Sequence, residues 1–108
     1  MANTFKLKTK ASVGVTTQTV YTVPNATTTT VIGITLANVS GSNVNVGVGV
    51  SRQSQDDVNL MKNVPIPQGS TLEFMQGNKI VLEATDQLTV LSDVASSLDV
   101  AVTIMEST

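Results

Sequence analysis

The chain has no cysteine, no histidine and no tryptophan, and its 108 residues include only one tyrosine, Tyr21, and two phenylalanines, Phe5 and Phe74. Without cysteine there is no disulfide framework, no thiol nucleophile and no zinc–thiolate site. Without histidine the commonest general base and the commonest transition-metal ligand are gone. Charge is sparse as well: 13% of residues are charged and the net charge is −2, so electrostatics make no case for a nucleic-acid or membrane partner. No apolar run approaches the roughly 18 residues of a membrane-spanning helix. The start, MANTFKLKTK, lacks the apolar centre of a signal peptide, so the chain is expected to be soluble and made inside a cell.

What is present is β-branched. Seventeen valines and 16 threonines are stiff at χ1 and suit a pleated surface better than a helix. With 41% hydrophobic residues, a chain of this length can bury a core without covalent staples. Composition therefore predicts an all-β protein whose core volume comes from valine, isoleucine and leucine.

Period-2 patterns recur along the chain with turn signals between them. Gln18 to Val23 reads as a strand ending at Pro24. In Val31 to Val39, Ile32, Ile34 and Leu36 are expected to point one way and Val31, Gly33, Thr35 and Ala37 the other. Val44, Val46, Val48 and Val50 alternate with Asn45, Gly47 and Gly49, and glycines inside a strand mark a bulge or a close backbone approach. Asp57 to Val64 follows, closed by Pro65 and Pro67, which mark an edge or a crossing. Thr71 to Met75, Lys79 to Leu82, Gln87 to Leu91 and Leu98 to Met105 complete the set; in the last, Leu98, Val100, Val102 and Ile104 share one face. About eight short strands with no helical period predict a single-domain antiparallel β-sandwich, jelly-roll-like, with at most one helical turn near Gln76 to Asn78.

Candidate chemistry is thin. Asp56 and Asp57 could share a calcium ion with Gln55 or Asn59, but they lack the alternating oxygen ligands of a dedicated loop and read better as a solvated hairpin tip. Glu83 with Asp86, or Asp93 with Asp99, could form the paired carboxylates of a glycosidase, yet nothing in the spacing places them about one bond. Gly41-Ser42 and Gly69-Ser70 open no helix and so make no phosphate cradle. The sequons at Asn25 and Asn38 carry meaning only in a secreted protein. No catalytic, cofactor or metal residue is assigned.

The first ten residues differ from the rest. They hold three lysines and no acid, whereas residues 11–108 hold three basic and eight acidic residues, a balance of +3 against −5. Residues 1–10 are thus expected to be an extended basic arm or an edge strand, attached to a sandwich domain over residues 11–108. Phe5, Leu7 and Thr9 alternate with Lys6, Lys8 and Lys10, which offers an apolar face to bury and a charged face to steer association. Three lysines without arginine or stacking aromatics offer little nucleic-acid readout.

Several short motifs carry a likeness. Tyr21-Thr22-Val23-Pro24, the threonine-rich lead into Val31-Ile32-Gly33, Ala37-Asn38-Val39-Ser40-Gly41, Val64-Pro65-Ile66-Pro67-Gln68-Gly69-Ser70 and Lys79-Ile80-Val81-Leu82-Glu83 resemble, in the same order, a family of small β-rich virion structural proteins of tailed bacteriophages, cyanophages in particular. The resemblance implies a virion component made in the host cytoplasm: a capsid decoration or a neck, tail or fibre subunit. It also implies a homo-oligomer whose partners are other virion proteins, with no cofactor and no enzymatic activity. On that reading Phe5, Lys6, Leu7, Lys8 and Lys10 with Thr28 and Thr30 are the candidate interface residues, since small hydroxyl side chains let neighbours lie flush. A virion-surface adhesin or glycan-binding module is the alternative, and a hydrolase using Asp56 and Asp57 with a metal is a third reading.

Overall fold

The computed structural model describes residues 2–53, 55–74 and 79–108. Among the described residues the valine and threonine runs form nine strands: β1 (Asn3–Val13), β2 (Gln18–Thr22), β3 (Thr28–Asn38), β4 (Val44–Ser51), β5 (Val58–Ile66), β6 (Thr71–Phe74), β7 (Ile80–Leu82), β8 (Gln87–Ser92) and β9 (Leu98–Ser107). They make two sheets, one in the order β1-β9-β3-β6 with β7 also on β3, the other β2-β8-β4-β5. Every pairing is antiparallel.

β6 lies opposite Ile34–Ala37 of β3 and β7 opposite Thr29–Val31. The two follow one another along β3 and share one sheet position, so nine strands fill the eight positions of a double-sheet jelly roll. Every connection except β4 to β5 and β6 to β7 crosses from one sheet to the other, which is the interleaved connectivity of that architecture. The expected helical turn at Gln76 to Asn78 falls outside the described residues.

The core lies between the sheets. Val44, Val46, Val48 and Val50 of β4 with Leu88 and Val90 of β8 face Val31, Ile34 and Leu36 of β3 with Leu98, Val100, Val102 and Ile104 of β9, all buried. Each buried aliphatic side chain contributes about 1.5–3 kcal/mol of transfer free energy. With so few aromatics, many interlocking β-branched side chains supply the volume. Pro65 sits in β5, at the free edge of the four-stranded sheet, where its missing N–H costs no ladder bond.

Two face assignments differ from the simple alternation. In β3 the register against β9 shifts between Val31 and Gly33, so Val31 and Ile34 both point inward while Ile32, at the bulge, is half-buried and outside the core cluster. An extra residue in one strand resets the alternation downstream of it.

The second difference is in β1. This segment is an edge strand paired with β9 from Asn3 to Val13, past the expected boundary at residue 10. Lys6, Lys8 and Lys10 stand opposite Ile104, Val102 and Val100, so they share the inward face, and Phe5 and Leu7 face solvent, 69% and 64% exposed. The apolar and charged sides are thus inverted from the expectation of a buried Phe5–Leu7 face.

Candidate subunit interface

The inward lysines have a local reason. β1 is the outermost strand, and of the opposite sheet it meets chiefly the short β2. A lysine stem can cover that rim while its ammonium reaches out, and inward-pointing charge discourages stray edge pairing. Lys6 Nζ lies 2.7 Å from Glu106 Oε1, and Lys8 Nζ sits 5.7 Å from the centroid of the Tyr21 ring. The Tyr21 hydroxyl donates to Glu106 Oε2 at 2.5 Å and shares a hydrogen bond with Thr29 Oγ1 at 2.8 Å.

Glu106, Tyr21 and Thr29 are all buried, so this network places a carboxylate inside the sandwich with its partners supplied. The Lys6 ammonium, then the Tyr21 hydroxyl, hold the Glu106 carboxyl below its ordinary range. Burial, then the bond to Glu106, pushes the Tyr21 phenol up to about 12. Lys6 and Lys8 are therefore engaged within their own chain, and the set expected for an interface divides between two faces.

Phe5, Leu7, Thr28 and Thr30 lie together on the outer face of the β1-β9-β3-β6/β7 sheet. Register carries one row across four strands: Phe5 beside Met105, Met105 beside Thr30, Thr30 beside Val81. The next row runs Leu7, Thr103, Gly33, with Ile32 at the bulge beside it. The third runs Thr9, Ala101, Thr35, Glu73. Val81 is 59% exposed, while Met105 and Ile32 are half-buried and outside the core cluster.

The result is a face carrying five large apolar side chains among threonine, alanine and glycine; of the charged residues described on it, Glu73 and Asp99 lie toward one end, and the exposed Lys79, two residues before Val81, lies at its β7 margin. Val81, Met105 and Ile32 were absent from the sequence-based set, because only register across β1, β9, β3 and β7 makes them neighbours. The edge beside this face is also open. Ala2 and Thr108 exchange both backbone bonds, and by the antiparallel alternation the N–H and C=O groups of Asn3, Phe5, Leu7 and Thr9 point away from β9.

On the opposite side of the molecule, a shallow trough of about 180 Å³ crosses the outer face of the β2-β8-β4-β5 sheet, floored by Gly47 and Gly49. A Cβ at Gly49 would stand 3.0 Å from the Val58 carbonyl, so a larger residue there would press on the β5 backbone, and the two register shifts between β4 and β5 lie just before it, between Val46 and Gly49. Its rim includes Asn45, Asn59, Asn63, Lys62, Thr89 and Asp93.

The acidic residues weighed for catalysis hold the backbone instead. Asp86 Oδ1 accepts from Arg52 Nε at 3.1 Å, Glu83 Oε1 from Arg52 Nη2 at 2.5 Å, and Asp86 Oδ2 from the Glu83 amide at 2.9 Å. This clamp closes the β7–β8 turn, in which Thr85 has a φ of 72°. Asp93 accepts from the Asn45 amide and Asp99 from the Ser12 amide. Asp57 accepts from the Arg52 amide at 2.7 Å, which makes it a turn-closing residue as well as a solvated one. Among the described residues no three acidic side chains converge on a metal position. The amide of Asn38 is buried and donates to the Ser42 and Ile66 carbonyls, which leaves it no free nitrogen to modify.

No family model matches the chain, and no curated protein does. Among solved structures, it is similar to a chain described under the heading "Bacillus endospore appendages form a novel family of disulfide-linked pili". The identity is 12%, the TM-score 0.59, and the likeness covers 99% of this chain and 87% of the other. At that identity the likeness concerns the fold, the two-sheet β-sandwich over its whole length.

Proposed function

We propose that the chain is a non-enzymatic structural component of a tailed-phage virion, a capsid decoration or a subunit of the neck, tail or fibre, made in the host cytoplasm and acting through subunit interfaces. The observation that carries this is the outer face of the β1-β9-β3-β6/β7 sheet, where Phe5, Leu7 and Val81 stand in solvent with little charge around them. Contiguous exposed apolar groups of this kind mark interaction surfaces. The motifs from Tyr21-Thr22-Val23-Pro24 to Lys79-Ile80-Val81-Leu82-Glu83 supply the virion context, and the sandwich fold shared with a pilus protein supports a building-block role. That pilus family is disulfide-linked; this chain has no cysteine, so its contacts rest on noncovalent burial.

Mass spectrometry of purified particles tests the reading. The chain should be present, with copies in the hundreds for a decoration or a few dozen for a ring of the neck or tail. Its absence from particles in which the major capsid protein is detected would refute the proposal. The trough over Gly47 and Gly49, rimmed with amides and hydroxyls, favours a second reading as a glycan-binding module. Binding on a glycan array that is lost on Asn59→Ala would establish it.

A further inference from the structure

We infer that the outer face of the β1-β9-β3-β6/β7 sheet packs on the same face of a second copy of this chain, about a twofold axis that runs parallel to the strands between β9 and β3. The inference rests on the proposed structural role and names the partner of that surface. A rotation about this axis brings each row of the face onto itself reversed. Phe5 of one copy then meets Val81 of the other, and Met105 meets Thr30, so large side chains fall opposite smaller ones. In the next row Thr103 meets Gly33, and in the third Ala101 meets Thr35. The rows are thus self-complementary in size, as an isologous interface requires.

Charge agrees with the same axis. Glu73 falls opposite Thr9 of the second copy and Asp99 opposite Ala37, so no carboxylate faces another. The exposed Lys79, two residues before Val81 and on the same side of the strand, ends the Leu7 row and falls opposite Leu7 of the second copy, so no two like charges meet across the axis among the described residues. Small residues at Gly33, Ala37 and Ala101 leave room for sheets at the usual spacing of about 10 Å. Size is adequate too: four strand positions at about 4.8 Å by some ten residues at about 3.4 Å make a footprint of roughly 600 Å². Side-chain relief brings that toward the accessible area of about 800 Å² per partner in a standard interface.

The experiment is sedimentation equilibrium on the full chain across roughly 1 μM to 1 mM, the range of weak to moderate association. The expected result is a mass rising from 11.3 kDa to twice that value. Leu7→Lys and, separately, Met105→Lys should raise the dissociation constant at least about 100-fold, because each would bury an unpaired charge. Both positions face outward, so far-ultraviolet circular dichroism should stay that of the native sandwich. Asn45→Lys, on the outer face of the other sheet, should leave the mass unchanged. The two Thr103 positions are offset by one strand, about 4.8 Å, as well as by a sheet spacing of about 10 Å, so a short bismaleimide rather than a direct disulfide should link Thr103→Cys into a dimer and leave Asn45→Cys unlinked.

A monomer at every concentration, or a dimer indifferent to Leu7→Lys and Met105→Lys, overturns the inference. The two readings fail separately. A monomeric chain found in particles would refute self-pairing and leave the virion role standing; a dimer with the expected sensitivities but absent from particles would do the reverse.

Discussion

Replacing Tyr21 by Phe removes one oxygen from the sandwich and keeps the ring, its packing and its place beneath Lys8. The oxygen it removes is the donor to Glu106 Oε2 and the partner of Thr29 Oγ1, both in the interior. A hydrogen bond to a charged group is worth about 1.5–3 kcal/mol, and here the remaining carboxylate stays buried with Lys6 as its other partner. The expected loss is about 2 kcal/mol from a domain stability of about 5–15 kcal/mol. At about 4–8 °C per kcal/mol for a domain near this size, the melting point falls by about 8 °C or more. The loss should depend on pH in a definite direction. Glu106 has its carboxyl lowered in the folded state, so its contribution is present above the unfolded value near 4.5 and is lost as pH falls through the folded one. Wild type and variant should therefore differ fully at neutral pH and converge in acid. Tyr21 is the only tyrosine and there is no tryptophan, so urea unfolding must be followed by far-ultraviolet circular dichroism rather than fluorescence. A difference below about 0.5 kcal/mol at pH 7, within the range of an ordinary surface change, would refute the claim that this network holds β1 and β2 to the end of β9.

The same residue makes an alkaline titration readable without interference. Its absorbance change should centre near pH 12 rather than the ordinary 10.0. Because the folded value is the higher, the stabilisation is complete below pH 10 and is lost as pH rises through 12, a few kcal/mol in all; a midpoint near 10 in the folded protein would refute it. Val46→Asp and Val102→Asp, each placing a carboxylate between the sheets where the native side chains are 1% and 0% exposed, should abolish soluble expression, since an unpaired buried charge costs several kcal/mol. Recovery of either in folded form at wild-type stability would show the inner faces misassigned. Asp57→Ala should cost about 1 kcal/mol through the Arg52 amide and Asp56→Ala within about 0.5 kcal/mol, both by thermal denaturation and both indifferent to calcium; a calcium-dependent loss would reveal a bound ion. Deleting residues 2–10 should lower the melting point of the monomer, because it strips β1 from β9 and leaves Glu106 without Lys6; an unchanged melting point would mean that the segment is an arm after all.

Much of the fold is legible in the sequence. Seventeen valines and 16 threonines with no helical period allow little but strands, and the alternation in β4 and β9 marked Val44 to Val50 and Leu98 to Ile104 as core, where they are found buried. These runs are readable because their neighbours on the other face are asparagine, glycine, aspartate or threonine, so burial in either direction has one plausible answer. The splitting of one jelly-roll position into β6 and β7 was not visible as such, since two short strands on the same neighbour look in sequence like two positions.

The candidate interface lay half in view. Alternation with the lysines marks Phe5 and Leu7 and small hydroxyl side chains mark Thr28 and Thr30, but Val81, Met105 and Ile32 join them only through register, and register is a relation between strands that no single strand encodes. The three lysines show the limit most directly. Period 2 determined that Lys6, Lys8 and Lys10 share one face of β1 and Phe5 and Leu7 the other, and local hydrophobicity alone would bury the second. Only the tertiary structure decided which face turns inward, because pairing β1 to β9 one residue out of step would exchange the two. The pairing found sets Lys6 beside Ile104, where a buried Glu106 one turn of the pleat away awaits a cation and a rim covered by a short β2 has room for an aliphatic stem.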